Sequence, residues 1–178
     1  MTIFDQGNEQ SIMNVLSVKD KRQAFQRKLL AEYPGKTIVA IKLNIPGPIK
    51  NNSKIKRIFN LGMDEFLKQL ADFKILFSHS WHLDTGEETF LVMDTKDIQA
   101  LKLISIKFED EFNLGRLFDI DILSDWQRAY SRKDLGFTPR KCLICDQDAK
   151  NCARSRKHSI PEMQTKISEM YENYGIKE

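Results

Sequence analysis

Cysteine is scarce in this 178-residue sequence, and the three present, Cys142, Cys145 and Cys152, all fall within eleven residues. An odd number, so confined, excludes the disulfide framework on which small secreted domains rely. Long apolar runs are absent: nothing approaches the ~18 consecutive residues of a membrane span. The opening MTIFDQGNEQ also lacks the basic segment and apolar core of a secretion signal, so a cytoplasmic protein without membrane contact is expected. Charge of one sign is missing too. The 28 Lys and Arg against 25 Asp and Glu leave a net +3, which excludes nucleic-acid or membrane binding by overall charge and leaves any electrostatic message to local clusters. Neither internal repeats nor low-complexity segments occur, which excludes solenoid architectures.

What is there reads as a globular domain. With 41% hydrophobic residues the chain can bury one core, so a single domain is expected over 1–178, with 126–178 as a basic, Cys/His-containing extension. Ser17-Val-Lys-Asp20 reads as a capping-box start, and Val18, Phe25, Leu29 and Leu30 recur at helical spacing until Pro34-Gly35 stops them. The β-branched run Thr37 to Ile45 predicts a strand that Pro46-Gly47-Pro48 must end, since proline cannot donate to a ladder. Ile55, Ile58, Phe59, Phe66, Leu67 and Leu70 predict a helix from about Asn52 to Phe73, weakened at its centre by Gly62.

Two strands follow, Lys74 to Trp81 and Glu88 to Asp94, joined by HLDTGE, a link longer than the tightest two-residue hairpin. Asp94-Thr95 offers a cap for a helix from about Lys96 to Glu109, GRLFDIDIL supplies a fourth strand, and the capping box Ser159-Ile-Pro-Glu162 opens a last helix to about Tyr174. A helix followed by β-α-β-β-α-β predicts an α+β fold with helices on one face of an antiparallel or mixed sheet. This is the ferredoxin-like or palm-type nucleotidyltransferase order, here with an N-terminal helix and a C-terminal cysteine-bearing basic loop plus helix.

Within GRLFDIDIL two carboxylates interrupt a greasy strand. Alternation turns Phe118, Ile120 and Ile122 to one face and Asp119 and Asp121 to the other. Residues two apart on one face lie ~7 Å from each other, a spacing that suits shared or adjacent Mg²⁺ and so the handling of a polyphosphate. Gly115 would let a phosphate approach the backbone, and Arg116 can offer it a bidentate fork. The plain alternative is an edge strand with a solvated outer face.

The segment from Trp126 to His158 carries nine Lys or Arg against three Asp, more positive than the whole chain. Arginines gripping an anion beside a metal would use such charge, and so would a nucleic-acid surface or a merely solvated loop. Cys142-x2-Cys145-x6-Cys152-x5-His158 supplies the ligand set of a Cys3His structural zinc site, with buried thiols as the alternative. His79 and His82 point to opposite faces of their strand and form no joint site, and no serine sits in a G-x-S-x-G context.

Four segments, LNIPGPIKN (43–51), GRLFDID (115–121), SRKDLGFTPRKCLIC (131–145) and CARSRKHS (152–159), together resemble the apo-citrate lyase phosphoribosyl-dephospho-CoA transferases, also called holo-citrate lyase synthases. They do so in order and over nearly the full length, with Phe112-Asn113 standing where the family pattern has a His-Pro pair. The resemblance implies a nucleotidyltransferase reaction. A serine hydroxyl of the apo acyl-carrier (gamma) subunit of citrate lyase attacks the innermost phosphate of triphosphoribosyl-dephospho-CoA, forming a phosphodiester and releasing pyrophosphate.

The G-x-x-D-x-D element of the malonate decarboxylase counterpart maps onto Gly115, Asp119 and Asp121, with one residue more between glycine and the first aspartate. By the same resemblance Asp119 and Asp121 hold Mg²⁺, and Arg116 with some of Arg132, Arg154 and Arg156 offsets charge on the departing pyrophosphate; Asp125 and Asp94 are positional candidates for a third carboxylate. Two competing readings are a zinc-ribbon-like nucleic-acid-binding module and a nucleotidyltransferase with another acceptor. The first lacks the aromatic interleaving of a single-strand platform, because Trp126, Tyr130 and Phe137 all stand at the start of the basic segment.

Overall fold

Ser11, not Ser17, starts the first helix in the computed structural model, which describes residues 2–124 and 130–175. The Ser11 hydroxyl accepts the Asn14 N–H at 3.1 Å, and helix α1 runs over Ile12–Glu32 with Ser17 inside it. Two serines compete for the cap and nothing between them breaks a helix. Extension past a formed nucleus costs little, so the earlier cap sets the boundary.

Four strands, β1 (Thr37–Leu43), β2 (Ile75–Leu83), β3 (Gly86–Met93) and β4 (Phe118–Leu123), form one antiparallel sheet in the order β2-β3-β1-β4. Helix α2 (Ser53–Gln69) joins β1 to β2, and α3 (Ile98–Glu111) joins β3 to β4. Two boundaries differ from expectation. Leu83 pairs with Gly86, so the hairpin turn is the tight two-residue Asp84-Thr85, which Gly86 permits at φ +135. Helix α3 is capped by Asp97, whose carboxylate accepts the Ala100 N–H at 2.9 Å, while Asp94 is drawn away to Lys36. Two further helices close the chain, α4 (Ala149–Ser155), which periodicity did not reveal, and α5 (Ile160–Asn173), which opens on the expected Ser159/Glu162 box.

Helices cover both faces of the sheet, not one. Val39, Ile41, Leu91, Met93, Ile120 and Ile122 share a core with Ile55, Ile58 and Phe59 of α2, Leu101 and Phe108 of α3, and Ile167 of α5. On the opposite face Ile38, Ala40, Phe90 and Val92 lie under Phe25 and Leu29 of α1. The reason is legible in β1: Thr37 to Ile41 are buried in succession, and a strand without polar alternation needs cover on both sides.

β4 is an edge strand whose outward backbone groups are taken up by side chains. The Ile120 N–H donates to Glu109 at 3.4 Å, the Ile120 carbonyl accepts Lys102 Nζ at 3.4 Å, and the Phe118 carbonyl accepts the Arg140 guanidinium. An edge so occupied is closed to further strand pairing.

Candidate active site

Antiparallel register assembles the carboxylate pair's surroundings. Asp119 stands opposite Lys42 and Asp121 opposite Ala40, while Lys42 and Ala40 face Glu88 and Phe90 on β3. Side chains directly opposite share a face, so Asp119, Asp121, Lys42 and Glu88 lie together on the α1 side of the sheet. There α1's apolar cover gives way to charge: Arg22 of α1 forks onto Glu88 at 2.6 and 2.5 Å, and the Lys42 ammonium bonds Asp119.

The two carboxylates titrate apart. Partial burial and the like charge of Asp119 raise the Asp121 carboxyl above its ordinary value. Burial alone would raise Asp119 as well, but Lys42, then Arg140 and Lys102, outweigh it and hold that carboxyl below the ordinary range. Asp119 is half-buried and Asp121 exposed, so solvent limits the size of both shifts. Of the candidates for a third carboxylate, Asp94 pairs with Lys36 beyond the far end of β1, ~17 Å along the strand from Lys42, and Asp125 lies outside the described residues.

Beside the N-terminal end of β4 opens a cavity of about 590 Å³, inside the range of small-molecule sites. Arg116, Arg140, Lys141 and Arg156 line it together with Asn44, and no carboxylate does among the described residues. Its apolar wall includes Leu117, Met163 and Ile167. Arg116 donates to the Lys141 carbonyl, and its guanidinium is pushed below its ordinary pKa by burial and by the charges of Arg140 and Arg132. Arg140 links the cavity to the carboxylates, since it bonds the carbonyl one residue before Asp119 and acts electrostatically on Asp119 itself.

The remaining expected residues stand elsewhere. Arg132 is held by Glu109 at 2.7 Å and Asp110 at 2.8 Å, tying its loop to the end of α3. Arg154 is exposed on α4 and does not line the cavity. Gly115 is buried, and a Cβ there would come within 2.3 Å of the Phe108 carbonyl oxygen, a steric demand for glycine independent of any phosphate.

Cys142, Cys145, Cys152 and His158 converge: their ligand atoms all lie within 4.8 Å of one another, a cluster able to hold a metal ion. Local structure brings them together. The Cys142 N–H donates to the Gln147 carbonyl at 2.7 Å, closing the loop that carries Cys145, and Asp148 caps the helix bearing Cys152. Arg156, left-handed at φ 49, then turns the chain back so that His158 Nε2 reaches Cys145 Sγ at 3.2 Å. The Cys145 and Cys152 sulfurs are 3.5 Å apart, near the ~3.8 Å edge of a tetrahedron built on zinc–sulfur bonds of ~2.3 Å. Burial and the neighbouring thiols push Cys152 up to about 11, so the cluster resists becoming three thiolates without a cation.

The family model for apo-citrate lyase phosphoribosyl-dephospho-CoA transferase matches residues 10–174. The chain belongs to that family. A relative from Streptococcus pyogenes serotype M3, described as a "Probable apo-citrate lyase phosphoribosyl-dephospho-CoA transferase", is 37% identical over 175 residues, covering 97% of this chain and 91% of the relative. The Escherichia coli O1:K1 / APEC protein that bears the family name is 34% identical over 161 residues, covering 86% of this chain and 84% of its own. "Protein CitXG" of Leuconostoc mesenteroides subsp. cremoris is 35% identical over 98% of this chain, which spans only 38% of that longer protein. No helix among the described residues is long and apolar enough to cross a membrane.

For a member of the transferase family, the sequence reading missed Lys42, Glu88, Arg22 and Arg140. Two signals were available: Lys42 is a single charge closing an apolar strand, and Glu88 opens another. Only strand register shows that both stand in line with Asp119.

Proposed function

We propose that this chain transfers the phosphoribosyl-dephospho-CoA group from triphosphoribosyl-dephospho-CoA to a serine of the apo acyl-carrier (gamma) subunit of citrate lyase. The serine oxygen bonds the innermost phosphorus, the bond from that phosphorus to the pyrophosphate oxygen breaks, and pyrophosphate leaves. The observation that carries this reading is the family match over residues 10–174 together with two carboxylates on one open face inside it. The β-α-β-β-α-β order with strands arranged β2-β3-β1-β4 supports a ferredoxin-like, palm-type unit over 1–178 whose extension carries the metal cluster.

Asp119 and Asp121 offer the hard oxygens that Mg²⁺ prefers. Bound there, Mg²⁺ would supply neutralisation of phosphate charge. The chain's own residues do the rest. Lys42 keeps Asp119 ionised, Arg22 keeps Glu88 paired so that its charge does not repel the donor, and Arg116 and Arg156 face the cavity where an anion can be gripped bidentately. The Cys3His cluster fits Zn²⁺ as a closed structural site.

Incubation of the protein with apo acyl-carrier subunit, triphosphoribosyl-dephospho-CoA and Mg²⁺ is expected to add the mass of one prosthetic group to the carrier. Asp119→Asn and Asp121→Asn each remove charge at constant shape and are expected to slow transfer roughly 100-fold or more with the melting temperature little changed. Near-normal transfer by either variant refutes its role, and an unmodified carrier under conditions where a known family member acts refutes the activity.

A further inference from the structure

The cavity between α4, α5 and the segment following β1 combines a cationic lining with an apolar one. Four cationic side chains, Arg116, Arg140, Lys141 and Arg156, converge on it, and no carboxylate lines it among the described residues. Like charges brought together at a partly desolvated surface repel one another unless an anion completes the site. Three thiolates on Zn²⁺ would contribute one negative charge at the cluster, and Glu109, which Arg132 already holds at 2.7 Å, pairs with Arg140 at 3.6 Å, so the four cations stay in excess. Arg140 Nε is buried and has no hydrogen-bond partner among the described residues, a donor left over after the guanidinium has bonded the Phe118 carbonyl. Leu117, Met163 and Ile167 add an apolar part to the lining. A ligand that satisfies both parts of this lining is amphipathic and bears phosphate.

We propose that this cavity is the donor's anchoring site, holding the dephospho-CoA portion with its diphosphate against Arg116, Arg140, Lys141 and Arg156 and its less polar part along Leu117, Met163 and Ile167. The inference rests on the transfer reading above and deepens it by separating two places: a cavity that holds the donor's arm, and the Asp119/Asp121 face on which the reacting phosphate lies. Arg140, which lines the cavity and bonds the Phe118 carbonyl just before Asp119, joins the two places. Anchoring remote from the reacting phosphorus is useful because binding energy gained there positions the substrate for reaction.

Dephospho-CoA alone, titrated calorimetrically without Mg²⁺, tests this on the whole protein. Wild type is expected to bind, more weakly as salt rises, and inorganic pyrophosphate is expected to compete. Ala153→Trp introduces a bulky side chain at an exposed position of α4 that lines the cavity, and Arg156→Glu reverses one charge at an exposed position. Each is expected to weaken binding at least tenfold, whereas Lys107→Glu, an equal charge change on the exposed surface of α3, leaves it unchanged. Asp119→Asn is expected to bind dephospho-CoA like wild type while failing in transfer.

Absence of binding to wild type, or wild-type affinity in both Ala153→Trp and Arg156→Glu, overturns the cavity assignment. If Asp119→Asn transfers normally while the cavity variants lose binding, the carboxylate reading falls and the cavity stands; the reverse pattern separates them the other way.

Discussion

Gly62 shows how a single residue's meaning depends on what it touches. In the middle of α2 a glycine costs about 1 kcal/mol relative to alanine by helix propensity, so replacing it looks favourable from the sequence. Packing reverses the sign. A Cβ at 62 would stand 2.0 Å from Phe118 Cζ, and that ring cannot swing aside because it stacks on Phe59 at 6.0 Å and meets the Phe108 ring at 5.2 Å. Gly62→Ala is therefore expected to destabilise by about 1–3 kcal/mol through overpacking, and to impair transfer because Phe118 immediately precedes Asp119 on β4. Adding Phe118→Leu should restore part of the loss, a coupling that a double-mutant cycle by urea denaturation measures. A Gly62→Ala protein as stable as wild type would show that the ring relocates freely.

At the scale of elements, what the sequence disclosed were features that local chemistry fixes. The Ser159/Glu162 box and the alternation that turns Asp119 and Asp121 to one face both depend on neighbours within a few residues. The start of α1 and the cap of α3 differ from expectation because two competent caps stand near each other: helix extension favours the earlier Ser11, and Lys36 takes Asp94 at 2.5 Å and leaves Asp97 to α3. The same partners give the fold an acid limit. The Lys36 hydrogen bond, aided by Lys74, holds the Asp94 carboxyl below its ordinary value, and the Ser159 hydroxyl and N–H do so for Glu162. A carboxyl whose pKa is lower folded than unfolded stabilises fully above the ordinary value near ~4 and loses that contribution as pH falls through the lowered one. Denaturation midpoints at pH 7, 5 and 3 are expected to fall towards acid, and Asp94→Asn and Glu162→Gln to flatten that fall. Variant and wild-type curves that stay parallel would rule these two groups out.

For the molecule as a whole, the parts of the site that escaped sequence reading are those assembled from distant segments: Lys42 from β1 and Glu88 from β3 beside Asp119, and a cavity walled by the ends of β1 and β4 and by α4 and α5. Spacing within one segment can show that four ligands could meet, but not that the loop between them has little else to hold it. Between residues 131 and 159 the one buried residue is Cys152, so this stretch has almost no core of its own. Where apolar burial is so slight, metal binding can supply the folding free energy. Purified without chelators, the protein is expected to carry zinc near one per chain. Chelation or Cys145→Ser should speed amide hydrogen exchange over 142–158 while β1 and β3, buried under helices on both faces, exchange as before. Cys142, Cys152 and His158 also line the cavity, so the same treatment is expected to weaken dephospho-CoA binding without touching Asp119 or Asp121. Zinc content near zero, or exchange over 142–158 indifferent to chelator, would mean that the thiols merely pack together and that the loop is held by its hydrogen bonds and by Arg132's grip on Glu109 and Asp110.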